Sequence, residues 1–211
     1  MTSTNPLPLH ITTARLVLRA PRPADDAPAL VENWASDPEV TRYLLWMTYS
    51  PGDVASAELF LGLCADNWAS GVGHRPWAIC ERLADGASGS PIGMIGVTPG
   101  SAPHSLEVGY VLGRAWWGKG YTTEAVVAVV DALFALGSIW RVYAPTHADN
   151  RASQRVLEKA GFTREGTLRR LLVFPRFGPE PQDCALFSFT RDDLAARRPS
   201  PPAEPSHAIA P

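Results

Sequence analysis

The sequence predicts an α/β fold, a mixed sheet flanked by helices, and three observations carry that expectation. Short runs with period-two alternation, bounded by Pro and Gly, read as strands; apolar residues at three- and four-residue spacing read as helices. The two kinds of segment interleave in the order strand, helices, three strands, helix, strand, helix, two strands.

Residues 15–20 alternate polar and apolar side chains and stop at Pro21, as a half-buried first strand does. Residues 24–35 carry acids in their opening turn and Leu30, Val31 and Trp34 at helical spacing, and Asp37-Pro38 can start a short second helix. Ser50-Pro51 repeats that cap pair before a helix expected to present Val54, Leu59, Phe60, Leu63 and Cys64 along one side and to stop at Gly71. Residues 75–82 and 92–98 read as strands joined by a turn-rich loop over 83–91, and residues 106–112 as a third.

Ala125, Val126, Val129, Val130, Leu133 and Phe134 fall on one helical stripe that must lie against the sheet, and Gly137 ends that helix by supplying a left-handed conformation cheaply. Residues 139–144 read as a buried strand, 150–160 as a helix, and 168–174 and 185–189 as strands separated by the turn-rich stretch 175–181. The expected boundaries are an N-terminal extension over residues 1–14, a single domain over 15–193 and a Pro/Ala-rich disordered tail over 194–211.

Composition narrows the function. The 211 residues are 45% hydrophobic with no apolar run able to span a bilayer, and the N-terminus lacks the basic and apolar regions of a secretory signal, so a cytoplasmic protein without a membrane partner is expected. Cys64, Cys80 and Cys184 are too scattered for a zinc or redox motif and are expected to pack as small apolar groups; no metal is implied. A net charge of −2 argues against nucleic acid. Residues 1–70 hold four basic against eight acidic residues, and residues 110–176 ten basic against five acidic. One half suits a cation and the other a polyanion, unless the charges are merely scattered over a solvated surface.

The residues that carry chemistry start at Trp117-Gly118-Lys119-Gly120-Tyr121-Thr122, between a strand and a helix. Such a turn leaves backbone N–H groups unpaired with the positive end of the helix dipole behind them, and glycines let phosphate oxygens come close, so this is an anion site. Residues 113–120 match a Walker A pattern except at the last position, where Gly120 has no hydroxyl for magnesium; a dinucleotide pattern fails because its third glycine would fall at Thr123.

With the turn in place the chain resembles the GNAT superfamily of acetyltransferases, whose pyrophosphate turn follows a central strand with the form R/Q-x-x-G-x-G/A. Ala115 replaces the usual Gln or Arg. The segment from Asn150-Arg151-Ala152-Ser153 to Lys159-Ala160-Gly161-Phe162 is similar to the family's N-x-x-S…K-x-G-F segment, and Arg15-Leu16-Val17-Leu18-Arg19, Asp37-Pro38-Glu39-Val40, Trp46 and Glu165-Gly166-Thr167-Leu168-Arg169 resemble the RimJ/RimL branch, which acetylates N-termini of ribosomal proteins.

The resemblance implies a largely antiparallel central sheet with splayed central strands, and acetyl-coenzyme A as acyl donor lying between residues 106–112 and 139–146. It implies cofactor contacts from Trp117, Gly118, Lys119, Gly120, Tyr121, Thr122, Asn150 and Ser153, with the N–H groups near Val111 and Leu112 facing the thioester carbonyl. Ser153 could hydrogen-bond the sulfur or relay a proton to it, because Leu157 stands where the superfamily often has a Tyr. Glu107 is a candidate general base, directly or through water, with His147 as its rival. Asn150 also reads as a plain helix N-cap, Glu124 as a dipole complement, and Trp46 as a candidate for the acceptor cavity wall.

Two functions follow: an N-acetyltransferase moving acetyl to a primary amine by direct attack in a ternary complex, or a non-catalytic acyl-coenzyme A sensor or scaffold. The amine could be a protein N-terminus, a polyamine or another small amine, the acidic first third favours cationic acceptors, and self-association as a homodimer is left open.

Overall fold

A computed structural model describes residues 7–45 and 53–197. Ser50-Pro51 and Trp46 therefore lie outside the described residues, as does the end of the expected tail.

Eight strands form one sheet in the order β1-β2-β3-β4-β5-β6-β8-β7: β1 His10–Thr12, β2 Leu16–Arg19, β3 Arg75–Arg82, β4 Ser88–Pro99, β5 Ser105–Leu112, β6 Arg141–His147, β7 Thr163–Val173 and β8 Pro181–Thr190. Every neighbouring pair is antiparallel except β5 and β6. The helices are α1 Pro23–Leu30, α2 Pro38–Thr41, α3 Val54–Ser70, α4 Tyr121–Ala135, α5 Arg151–Lys159 and α6 Arg191–Arg197.

The apolar stripe of α4 packs on one face of the sheet with Leu157 of α5, against Leu106, Val108 and Leu112 of β5. On the other face α1 and α3 pack against Met94 of β4 and Val111 of β5. The core is thus split by the sheet, as side-chain alternation requires.

Several expectations on element ends change. Residues 10–12 are a strand: β1 pairs with β2, and Trp77 Nε1 donates to Pro8 O at 2.8 Å, so part of the expected extension belongs to the sheet. A wide π-turn, Val31–Ala35, continues α1 and buries Val31, Trp34 and Ala35 together. Strand β4 begins at Ser88, inside the stretch expected to be loop.

The helix α3 starts at Val54 because Asp53 Oδ1 accepts from Ser56 N at 3.0 Å. Of the expected stripe it buries Cys64, with Phe60 packed against the core, but the other buried positions are Ala57 and Leu61, and Leu59 is left 74% and Leu63 65% exposed. Alanine at the contact lets α3 approach α1 closely, and the bulky residues are turned outward. At the C-terminus α6 runs to Arg197, beyond the expected boundary, and Arg191 at its start donates to Ile139 O at 2.8 Å and to Phe134 O at 3.2 Å, tying it to the last turn of α4 and the chain beyond.

Candidate functional site

The parallel ladder between β5 and β6 holds only Ser105↔Arg141, Leu106↔Val142 and Glu107↔Tyr143. Beyond that rung β5 stays in register with β4 to Leu112, while β6 stays in register with β8 to His147, so the two strands part. A cavity of about 1450 Å³ occupies the opening and is bordered at one end by the turn before α4 and at the other by α2 and α3.

Gly118 (φ 75°) and Gly120 (φ 80°) both adopt the left-handed backbone that an L side chain resists, and Gly120 is the N-cap of α4. With no side chain at the cap, the first-turn amides of a 15-residue helix face the cavity rim uncapped. The turn is held from behind. Glu81 of β3 accepts from Trp116 Nε1 at 3.1 Å and from Tyr121 OH at 2.9 Å, and Trp117 Nε1 donates to Leu112 O at 2.7 Å. Arg15 donates to Lys119 O at 2.9 Å and lies 2.6 Å from Glu124 Oε2, which neutralises a carboxylate that would repel an anion. Glu124 is therefore an anchor between the start of β2 and α4, more than a dipole complement. Gly118, Gly120, Tyr121, Thr122 and Trp117 line the cavity; Lys119 does not.

Asn150 caps α5, its Oδ1 accepting from Ser153 N at 3.1 Å, and both residues line the cavity. Ser153 Oγ shares a 2.9 Å hydrogen bond with Tyr110 OH, which also donates to Ser153 O at 3.1 Å. Either hydroxyl can be the donor of that 2.9 Å bond: when Tyr110 OH donates to Ser153 O the serine donates to the tyrosine oxygen, and when Tyr110 OH donates to Oγ the serine proton is free for another partner. Burial pushes the Tyr110 phenol above its usual range, so it stays neutral.

Gly113 N donates to Ile92 O, and by two-residue alternation Val111 N–H points into the β4 ladder while Leu112 N–H points toward the opening. Of the two amides expected at the carbonyl, only that of Leu112 is available.

The other face of the opening is layered in rows across the strands. His74, Thr98 and Glu107 line the cavity, Thr98 stands directly opposite Glu107, and Glu107 pairs in turn with Tyr143 of β6. The next row is Pro76, Gly96 and Gly109, and the one after it holds Met94 and Val111. Burial raises the Glu107 carboxyl above the usual carboxylate range, against a hydrogen bond with Tyr143 that works the other way.

His147 also lines the cavity, its ring stacked on Phe177 with centroids 4.5 Å apart and edge-on to Phe174. Its Nδ1 accepts from Asp149 N at 3.1 Å, so the neutral ring carries its proton on Nε2, and Nε2 is buried. A base needs a free lone pair, which this ring does not present. The acceptor end is lined by Val40, Leu44, Phe60, Met94 and Val111, and of the acids in the first third only Glu39 borders the cavity. The rest are engaged elsewhere or exposed: Asp26 pairs with Arg19, and Asp37 with Arg114. The expected preference for cations thus has little carboxylate to act through.

Tyr110, His74, Thr98 and Tyr143 belong to neither sequence motif. Parity marks only Thr98, which shares its phase with Gly96 on β4 as Glu107 does with Gly109 on β5; Tyr110 falls in the other phase of β5, and His74 and Tyr143 lie outside these two strands.

Residues 15–163 match the family description "Acetyltransferase (GNAT) domain". The chain is 33% identical over 157 residues to the uncharacterized N-acetyltransferase p20 of Bacillus licheniformis, covering 74% of this chain and 84% of that one. Over 70 residues, 33% of this chain and 36% of the relative, it is 31% identical to the [Ribosomal protein uS5]-alanine N-acetyltransferase of Escherichia coli. The fold matches that of Mycobacterium smegmatis RimJ in complex with CoA-disulfide with a TM-score of 0.71 at 23% identity, over 85% of this chain and 83% of that one. Among the described residues no helix is long and apolar enough to cross a membrane.

Proposed function

This chain belongs to the GNAT acetyltransferase family and is an acetyltransferase, and from that premise we propose that it transfers acetyl from acetyl-coenzyme A to a primary amine by direct attack. What carries the reading is the continuity of one cavity, which joins the glycine turn at the head of α4 to Glu107 through the gap between β5 and β6. A donor whose pyrophosphate and thioester are separated by an extended pantetheine arm fits a gap anchored in this way.

The pyrophosphate lies on the uncapped amides from Gly118 to Thr122, where the helix dipole favours negative charge. Leu112 N–H faces the thioester carbonyl and stabilises the oxygen as it gains charge. Glu107 drives the removal of the amine proton, directly, through water or through a neighbouring group, from a carboxyl whose pKa burial raises. Ser153 Oγ meets the sulfur, held in place by Tyr110. The apolar acceptor end favours an amine carrying an apolar substituent over a polyamine.

The test is thiol release from acetyl-coenzyme A in the presence of phenylethylamine, spermidine and a peptide with a free N-terminal alanine. Release with phenylethylamine or the peptide above the spermidine rate is expected. Tight coenzyme A binding with no release across all three overturns the reading.

A further inference from the structure

His74 precedes β3 and is pinned by the end of α3: Asn67 Nδ2 donates to His74 O at 3.0 Å, and Trp68 Nε1 donates to Pro76 O at 2.7 Å. The ring shares a 3.0 Å hydrogen bond from Nδ1 with Thr98 Oγ1. Its opposite edge lies directly on Gly96, where a Cβ would stand 2.5 Å from His74 Cε1 and 2.8 Å from Nε2. Only glycine leaves room for that ring. Beside it, the register partner Gly109 is exposed in the middle of a central strand, with nothing within 4 Å of where its Cβ would be. Gly109 leaves open floor next to Glu107, and the imidazole edge bearing Nε2, lying over Gly96, borders it.

We propose that His74 Nε2 takes the proton from the attacking amine, with Thr98 holding the Nδ1–H tautomer and linking the ring to Glu107. This rests on the acetyl transfer proposed above and names the atom that receives the proton. Thr98 stands directly opposite Glu107 in the strand register; in the proposed arrangement Nδ1–H donates to Thr98 Oγ1 across the 3.0 Å bond and the threonine hydroxyl turns toward that carboxylate. Nε2 is then left with its lone pair toward the glycine floor.

Burial holds the imidazole below its ordinary pKa, so the ring is neutral and ready to accept at neutral pH. Among the described residues, the titratable groups facing it are Glu107 from β5 and, beyond that, Tyr143 from β6; α3 contributes the uncharged Asn67. The amine lone pair forms the C–N bond, the C–S pair leaves on sulfur, and the N–H proton moves to Nε2. Glu107 balances the imidazolium through Thr98. The ring returns its proton to solvent, and the thiolate recovers one from solvent.

Two measurements on the full chain test this. Long-range nitrogen NMR of histidine-labelled protein saturated with coenzyme A, with the His74 signal assigned by its loss in His74→Gln, is expected to show a neutral Nδ1–H ring at pH 7 whose tautomer shifts in Thr98→Val. In thiol release with phenylethylamine, His74→Gln is expected to lower kcat/KM by about 100-fold or more, to abolish the acidic limb of the pH profile and to leave the coenzyme A Kd unchanged. An Nε2–H ring or an imidazolium at pH 7 overturns the proposal, as does a His74→Gln enzyme with the parent rate and the parent acidic limb. Absence of turnover in the parent enzyme with every amine counts against acetyl transfer instead, and the tautomer then decides the role of His74 by itself.

Discussion

Tyr110 OH lies 2.9 Å from Ser153 Oγ and donates to Ser153 O, joining the far half of β5 to the first turn of α5 across the gap where β5 and β6 have parted. The sheet is open there, and this hydroxyl pair replaces the missing ladder. Because both partners sit in one small network, their contributions to stability should not add.

Tyr110→Phe leaves Ser153 O and Oγ short of a partner and is expected to cost about 1–3 kcal/mol, with Ser153→Ala costing less. The double variant should cost less than the two combined by about 1 kcal/mol. Urea unfolding of the four proteins gives the coupling; strict additivity would mean that the pair is not bonded in solution.

Arg15 screens Glu124 beside the head of α4. In Arg15→Ala a bare carboxylate faces the proposed phosphate site, so coenzyme A affinity should fall several-fold, and by more at low salt. Adding Glu124→Gln should recover most of the loss. Calorimetric titration at two ionic strengths checks both, and no recovery in the double variant would place the Arg15 contact on the ligand instead.

Gly96→Ala puts a methyl group where the His74 ring lies, at a separation of 2.5 Å, with the ring packed between Thr98 and the end of α3. The ring must leave. Thiol release should drop as far as in His74→Gln, with coenzyme A affinity preserved, whereas Gly109→Ala meets no atom and should change acceptor KM more than the thermal midpoint. Side-by-side melting curves and kinetics separate the two.

Glu165 is held well below the usual carboxylate range, at about 2, by the bidentate Arg141 guanidinium, with Ser188 adding a further hydrogen bond. A depressed folded-state pKa means that the unfolded chain takes up the proton first on acidification. The stabilisation is fully present above the ordinary carboxylate pKa and is lost as pH falls from there through about 2. The pair is partly solvated, so the effect is modest. Glu165→Gln should flatten the stability slope in that window and leave it unchanged above; equal slopes in acid would refute the assignment.

Element type was legible along most of the chain because apolar spacing reports burial directly: the stripe from Ala125 to Phe134 is buried as its spacing implies. The face of α3 was not legible, since residue size says nothing about how closely α1 approaches, and Ala57 took the contact that Leu59 and Leu63 were expected to make. The glycine turn and the Asn150 cap were legible for a related reason. A glycine turn and a helix cap are local devices, and Gly118, Gly120 and Asn150 need only their immediate neighbours to adopt the required backbone.

What the sequence determined by itself is therefore the α/β class, the glycine turn from Trp117 to Thr122 and the helix capped by Asn150. What only the tertiary structure decided is the far end of the cavity. Tyr110 reaches Ser153 across 43 residues of chain, and His74 reaches Thr98 across 24. Such contacts are set by strand register and by where β5 leaves β6, and no local spacing encodes a partner on another strand.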